Sequence, residues 1–592
     1  MNMKFKIMQM KTIKVVLLMC IGSLFIVTGC AEDFSTKEPQ AAFSEGDVAT
    51  ASGVEGILLG SYNMLQGGGL GGQTWHNEIQ NWVFNLPSDD ALKGTDAGDQ
   101  PEQSFIEQYD FQNFNIHIRD KWRGLYLGVA TTNDAINTLA KVEEGITDER
   151  RAQIIGEARF LRGIFHFEAR KMWERPVYID ETNFDLSDLG STQVPNDREI
   201  WPFIEADFEA AIAALPATQS QVGRPTSWAA KAFLAKAKIY QGFNADGSAN
   251  TAKLQEAKPI LEDIINNGGF SLTANFEDNF LVGTRNNSES IFEVQFAVSQ
   301  ANADVSNRGI GLAHPYIAPW GCCGFYQVSQ NLINAYKTEG GLPLLDTFND
   351  SNISPDVDAD GNSVYTGTLD PRLDHSVGRP GILYKGFQIA QNDFARDLNY
   401  AGPFVSKKHV AEQEFFAGGG WQNLSANNYR IMRLGMVYLW LAEAEVELGN
   451  LERARELVNI IRARASNPAG FESKAIQGAT RQDFTLVDEP AANYEISQYN
   501  DAWTDPVTAR KAVRFETRLE FSMEGHRFFD LTRWGIAAET LSAYVQSESQ
   551  NRVYLAGKTF VEGKHEYFPI PIEAIDRSSV DGVPTLTQDP AY

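Results

Sequence analysis

Two adjacent cysteines set among glycines and aromatic rings are the densest chemistry in this chain. The run Tyr316-Ile317-Ala318-Pro319-Trp320-Gly321-Cys322-Cys323-Gly324-Phe325-Tyr326 holds four aromatics in eleven residues. In an oxidising exterior, adjacent cysteines close a strained eight-membered ring, and the flanking glycines relieve the backbone around it. Such a ring is a rigid apolar plate. With Trp320, Phe325 and Tyr326 beside it, it suits stacking on a sugar. The competing reading is a buried pair in a core loop. Trp75, His76, Asn77, Trp82, Asp89 and Asp90 on an earlier loop, and Arg379 and Tyr384 on a later one, add rings for pyranose or furanose faces and polar groups for hydroxyls.

One stretch has metal-ligand spacing. Asp356-Val357-Asp358-Ala359-Asp360-Gly361 reproduces positions 1, 3, 5 and 6 of a calcium loop, but Gly367 stands where the bidentate glutamate belongs. Asp356, Asp358 and Asp360 are therefore candidate calcium ligands of weak affinity, with a solvated acidic turn as the alternative. No other cofactor is implied.

Catalytic patterns fail on context. Gly67, Gly69 and Gly72 satisfy G-x-G-x-x-G but follow a helix rather than a strand. Gly557-Lys558-Thr559 ends like a phosphate loop, yet Arg552 occupies the position of its first glycine. There is no H-E-x-x-H and no G-x-S-x-G. The pairs Asp89-Asp90 and Glu443 with Glu445 have the residue types of a glycosidase, but the second pair lies on a helix, where a solvated or inter-helix face is the simpler reading. No catalytic residue is assigned.

The elements that must position the loops are helices. Ile154, Ala158, Leu161, Phe165, Ala169 and Met172 fall on one face of a helix over 151–172. Further helices are predicted over 201–214, from about Trp228 to Tyr240, and from about Ala252 to Ile265. Near the C-terminal third, one stripe runs from Leu434 to Leu448 and another from Leu451 to Ile461. A glycine between paired helices and an alanine at the close contact, as in Leu448-Gly449-Asn450 before Ala454, suggest atypical tetratricopeptide packing. The fold is read as mainly α. The helical scaffold covers about 46–66, 126–268, 426–466 and 508–540, and a loop-rich half covers about 67–125 and 270–425. Loops on a rigid scaffold are where binding residues concentrate.

The N-terminus sets the compartment. Lys4, Lys6, Lys11 and Lys14 precede an apolar run from Val15 to Val27, then Val27-Thr28-Gly29-Cys30. This is a secretory signal with a lipobox-like end, over residues 1–29; the run is shorter than the ~20 residues of a membrane span. Cys30 becomes the acylated N-terminus, followed by a polar tether over 30–45 and a single domain over 46–592. Removing 1–29 takes away four lysines and no acid, so the formal charge moves from −26 to −30. That repels nucleic acid and anionic lipid. Cys20 leaves with the signal and Cys30 carries lipid, so only Cys322 and Cys323 remain and no long-range disulfide framework exists.

Several blocks together resemble the SusD/RagB family of outer-membrane nutrient-binding lipoproteins. They are Gly156-Glu157-Ala158-Arg159-Phe160-Leu161-Arg162, Gly223-Arg224-Pro225-Thr226, Asp370-Pro371-Arg372-Leu373, Tyr429-Arg430-Ile431-Met432-Arg433-Leu434, Glu524-Gly525-His526-Arg527-Phe528-Phe529-Asp530-Leu531 and Phe568-Pro569-Ile570-Pro571. The resemblance implies a SusD-like fold with four tetratricopeptide-like helix pairs and a loop-rich ligand face. It implies a glycan-binding protein, not an enzyme, seated over a SusC-like TonB-dependent transporter; a peptide-capturing member is the alternative, and a hydrolase a remote one. Glu32-Asp33 beside Cys30 resembles the acidic signature of lipoproteins exported to the outer face. The cysteine pair with its aromatics looks most like the fructan-binding kind. Arg159, His526, Arg527 and Asp530, being scaffold in such proteins, are expected to be buried structural groups.

Overall fold

The computed structural model describes residues 48–67, 75, 78–297, 305–416 and 425–592. The signal, Cys30, the tether, His76 and Asn77 lie outside the described residues. The long helices are α1 (Ala51–Asn63), α2 (Ile116–Leu139), α3 (Asp148–Met172), α4 (Trp201–Ala214), α5 (Ser227–Tyr240), α6 (Thr251–Asn267), α7 (Leu434–Glu447), α8 (Leu451–Ala465) and α9 (Pro506–Phe521). Each packs on the next along the chain through α6, which lies on α7, and α7 then carries α8 and α9. This serial stacking of helix pairs is the mainly helical architecture read from periodicity. None of the described helices is long and apolar enough to cross a membrane.

Helix α3 shows why these segments are helical. Thr147 accepts a hydrogen bond from the Arg150 amide, Asp148 and Glu149 occupy the first turn, and Arg170 and Lys171 the last. The cap satisfies an orphan donor and the charges oppose the helix dipole. All six residues of its apolar stripe are buried. The stripe meets α4 closely, since a Cβ at Gly163 would lie 2.7 Å from the Phe208 ring.

The loop-rich half holds short strands: β1 (Ala91–Gly94), β2 (Ser290–Val294), β3 (Phe325–Val328), β4 (Val377–Gly378), β5 (Val405–Ser406), β6 (Tyr429–Arg433), β7 (Ser473–Gln477) and β8 (Phe484–Pro490). β1, β3, β5 and β4 form an antiparallel sheet in that order; β2 pairs with β6 and β7 with β8. One boundary differs from the sequence reading: α2 begins at Ile116, ten residues before the scaffold was expected to resume. Its polar residues Arg119, Asp120 and Arg123 hide the apolar face of its first turns.

A buried ionic network joins the scaffold to the loops. Arg433 pairs with Glu289 at 2.9 Å and Glu520 at 2.7 Å. Arg372 reaches Asp370 at 2.8 Å, Glu516 at 2.7 Å and Glu520 at 3.0 Å, while Arg462 also holds Glu516 at 2.7 Å. Burial alone would raise the Glu520 pKa, but Arg464, Arg433 and Arg372 outweigh it and hold the carboxyl well below the usual range. Removing one partner of such a set costs about 3–5 kcal/mol, because a buried charge is left uncompensated. Of the four scaffold groups expected to be buried, Asp530 is buried and paired with Arg533; Arg527, paired with Asp89, is half-buried, as are His526 and Arg159, the latter paired with Asp207.

Candidate functional site

Cys322 and Cys323 are joined by a disulfide. Glycines shape its surroundings. Gly324, at φ +75°, passes beneath Tyr316, whose Cβ would stand 3.5 Å from an added methyl. Gly94, at φ +79°, lets β1 come close, for a Cβ there would meet the Gly324 oxygen at 2.5 Å. The loop is tied to its neighbours by main-chain bonds, from the Tyr316 amide to the Phe394 carbonyl at 2.9 Å and from the Thr95 amide to the Gly324 carbonyl at 2.6 Å.

Only one of the four rings in this segment faces solvent. Tyr316 is 37% exposed, whereas Phe325 and Tyr326 lie in the main core and Trp320 is 2% exposed. Trp320 anchors a satellite core with Tyr384, Phe387, Phe394, Val405 and Val410, its ring centroid 4.8 Å from Phe387 and 5.4 Å from Tyr384. Cys323 is buried and Cys322 half-buried. The expectation that Trp320, Phe325 and Tyr326 offer stacking faces is therefore corrected. β3 inserts its rings into the interior, and Trp320 wedges beneath the loop that lifts Tyr316.

The other candidates are structural for the same reason. Trp75 and Trp82 are core residues, and Trp82 Nε1 donates to the Gly309 carbonyl at 2.8 Å. Asp89 is gripped by Arg527 at 2.7 Å and Asp90 by Arg518 at 2.7 Å. Burial would raise the Asp89 pKa, but Arg518 and Arg527 override it and bring it down to about 2. Arg379 holds Asp374 at 2.6 Å, and Tyr384 is fully buried with its hydroxyl on the Ser406 carbonyl at 2.7 Å. Glu443 is held by Arg533 at 2.5 Å and by Trp534 Nε1 at 2.9 Å, and Glu445 by Lys258 at 2.7 Å. These carboxylates are committed to cations and donors, which leaves no free acid–base pair in the two constellations with glycosidase residue types.

The acidic turn is equally occupied. Asp358 Oδ1 accepts from the amides of Asp360 and Asn362, both at 2.9 Å, and Asp356 accepts from Ser354. Hydrogen bonds from Asn362 lower the Asp358 pKa. Among the described residues, Asp356, Asp358 and Asp360 do not bring their oxygens together as a calcium cage requires.

The groups that do surround Tyr316 were not singled out from sequence. The Arg396 guanidinium lies 5.4 Å from its ring centroid and reaches Asp96 at 2.9 Å and Asp99 at 2.7 Å. Such exposed pairs contribute about 0–1 kcal/mol each, so their effect is to orient Arg396. Lys93 fixes the turn that carries both aspartates, its Nζ donating to the carbonyls of Asp96 and Asp99 at 2.7 Å. Its centre lies 5.1 Å from the Tyr400 ring, which stacks on Tyr554 at 4.4 Å. A second exposed ring, Phe415, borders an open cavity of about 430 Å³ with Val282, Arg285 and Phe416, and Phe416 packs on Trp320. Trp320 thus supports the segments bearing both exposed rings. An exposed ring backed by a guanidinium, beside carboxylates, can stack on a sugar face and hydrogen-bond its hydroxyls.

Residues 288–592 match the SusD family, and residues 80–240 match the family described as starch-binding associating with outer membrane. A SusD-like protein of Bacteroides ovatus is 25% identical over 525 residues, covering 88% of this chain and 82% of its own. A SusD-like protein of Formosa agariphila is 22% identical over 586 residues, covering 94% and 96%. Among solved structures, a SusD homolog of Bacteroides thetaiotaomicron has a TM-score of 0.66 at 20% identity, covering 93% of this chain and 99% of that one. A laminarin-binding SusD-like protein has a TM-score of 0.62 at 21% identity, covering 92% and 100%. With the first match spanning more than half its length, this chain belongs to the SusD family.

Proposed function

We propose that this protein is a lipid-anchored glycan-binding protein of the outer-membrane surface, which captures an oligo- or polysaccharide and passes it to a SusC-like TonB-dependent transporter without cleaving it. Family membership supports the architecture, and the signal with Cys30 supports the anchor. The observation that carries the binding reading is the Tyr316 corner. There an exposed ring on a loop that carries a disulfide is framed by an oriented guanidinium and two carboxylates from other segments. Two solved relatives support a sugar ligand: one is described as laminarin-binding and another, surface glycan-binding protein A of Bacteroides thetaiotaomicron, is in complex with laminarihexaose. The fructan reading rests on the cysteine pair with its aromatics and is one member of the panel to test. Calorimetric titration of the mature protein with β-glucans, fructans and α-glucans is the experiment. Binding to at least one glycan, weakened by Tyr316→Ala and Arg396→Ala, is expected. Full-strength binding by both variants moves the site away from this corner.

A further inference from the structure

Glu277, His375 and Glu472 are the one place among the described residues where three metal-ligating side chains each bring an atom within 4.8 Å of the others. They come from three segments: the turn Phe276–Phe280, the short helix Leu373–Ser376 and the residue before β7. His375 is buried, and its Nε2 lies 2.7 Å from the Gly470 carbonyl oxygen, so that nitrogen carries the hydrogen. Nδ1 then faces Glu277 Oε2, 3.4 Å away, and Glu472 Oε2, 3.8 Å away, with a lone pair in the neutral ring and as an ion-pair donor in the protonated one. Acceptors facing one another repel unless something positive sits between them.

The spacing fits an ion. Tetrahedral zinc with bonds of about 2.1 Å separates its ligands by about 3.4 Å, close to two edges of this cluster. A carbonyl on the far ring nitrogen is the usual device that orients a metal-binding imidazole. Two lysines border the site: Lys385 stands 3.7 Å from Glu277 Oε1, and Lys407 stands 2.7 Å from Glu472 Oε2. Those contacts leave Glu277 Oε2 outside the lysine pairs, whereas Glu472 Oε2, the oxygen that faces His375, is shared with Lys407. The glutamate side chains are 28% and 13% exposed, which gives an ion a way in.

We propose that Glu277, His375 and Glu472 bind one divalent transition metal, zinc by preference, with water completing the coordination. One imidazole nitrogen with two carboxylates is a donor set suited to zinc. The metal would clamp the 276–280 turn and the β7–β8 hairpin to the segment holding Asp370 and Arg372. This site is separate from the Tyr316 corner and does not depend on the glycan reading.

Chelator-treated mature protein titrated with zinc chloride, followed by calorimetry and metal analysis, tests this. One zinc per chain is expected, with Glu277→Gln weakening it at least about ten-fold and His375→Gln abolishing stoichiometric uptake. Cobalt(II) in the wild type should give the visible bands of tetrahedral coordination. Absence of stoichiometric zinc at micromolar concentration, or equal uptake by His375→Gln, overturns the proposal. Should that variant not fold, nitrogen NMR of the wild type decides: zinc must shift His375 Nδ1. A ring that titrates identically with and without zinc is an ion pair only, and the metal site is then wrong.

Discussion

Replacing Trp320 and Tyr316 separately by alanine distinguishes the ring that holds the loop from the ring proposed to meet the ligand. Trp320 is 2% exposed, and its ring meets Phe387, Tyr384, Phe394 and Phe416 at centroid distances of 4.8, 5.4, 5.9 and 6.3 Å. Truncating a buried tryptophan removes its transfer free energy and leaves a cavity, at a cost of about 3–5 kcal/mol. The satellite core it fills is small, so few neighbours are available to collapse into the void. Tyr316 is 37% exposed and carries a guanidinium contact whose worth at an exposed site is about 0.5–1 kcal/mol. Its loss should leave the folded state within about 1 kcal/mol of wild type. A lost sugar contact of about 0.5–2 kcal/mol lowers affinity roughly two- to thirty-fold. Urea unfolding and calorimetric titration of the two variants give four numbers. The expected pattern is a large stability loss for Trp320→Ala and an affinity loss without a stability loss for Tyr316→Ala. A Trp320→Ala protein as stable as wild type but unable to bind glycan would refute the packing argument and restore Trp320 to the binding surface.

Asp89→Asn should destabilise the fold by about 3–5 kcal/mol, because Arg527 and Arg518 lose a buried counter-charge. With the folded Asp89 pKa lowered to about 2, its stabilisation is present above the unfolded value near 4 and is lost as pH falls through about 2. Wild-type acid unfolding should therefore extend to lower pH than that of the variant. Incubation with any bound polysaccharide should yield no shorter chains by size-exclusion chromatography. Fragments that vanish in Glu443→Gln would contradict the commitment of Glu443 to Arg533. Cys30→Ala should move the protein from the membrane to the soluble fraction, since acyl chains are its proposed anchor; retention in a strain lacking the transporter would count against lipidation.

The helical scaffold was legible because burial repeats with the helix period. The stripe from Ile154 to Met172 and the ranges of α4 to α8 are local consequences of which residues must leave water. The start of α2 was not legible, since charged residues open its first turns, and neither was the β7–β8 hairpin, whose strands are largely exposed and carry no alternating apolar face. At the proposed site, the sequence pointed to a loop by its cysteines and rings but not to which of those rings stays exposed. Exposure of an aromatic depends on which neighbours close over it, and those neighbours come from elsewhere in the chain. Phe387 and Phe394 bury Trp320; Arg396, Asp96 and Asp99, far away in sequence, frame Tyr316. The same holds for charge. Asp89 and Asp90 look like free carboxylates until Arg518 and Arg527, more than four hundred residues later, arrive to neutralise them. Composition, periodicity and the ordered motif blocks are properties of the chain itself and determined scaffold and family. Only tertiary structure decided which polar and aromatic groups are spent on holding the fold and which remain to meet a ligand, because that choice is made by contacts between segments distant in sequence.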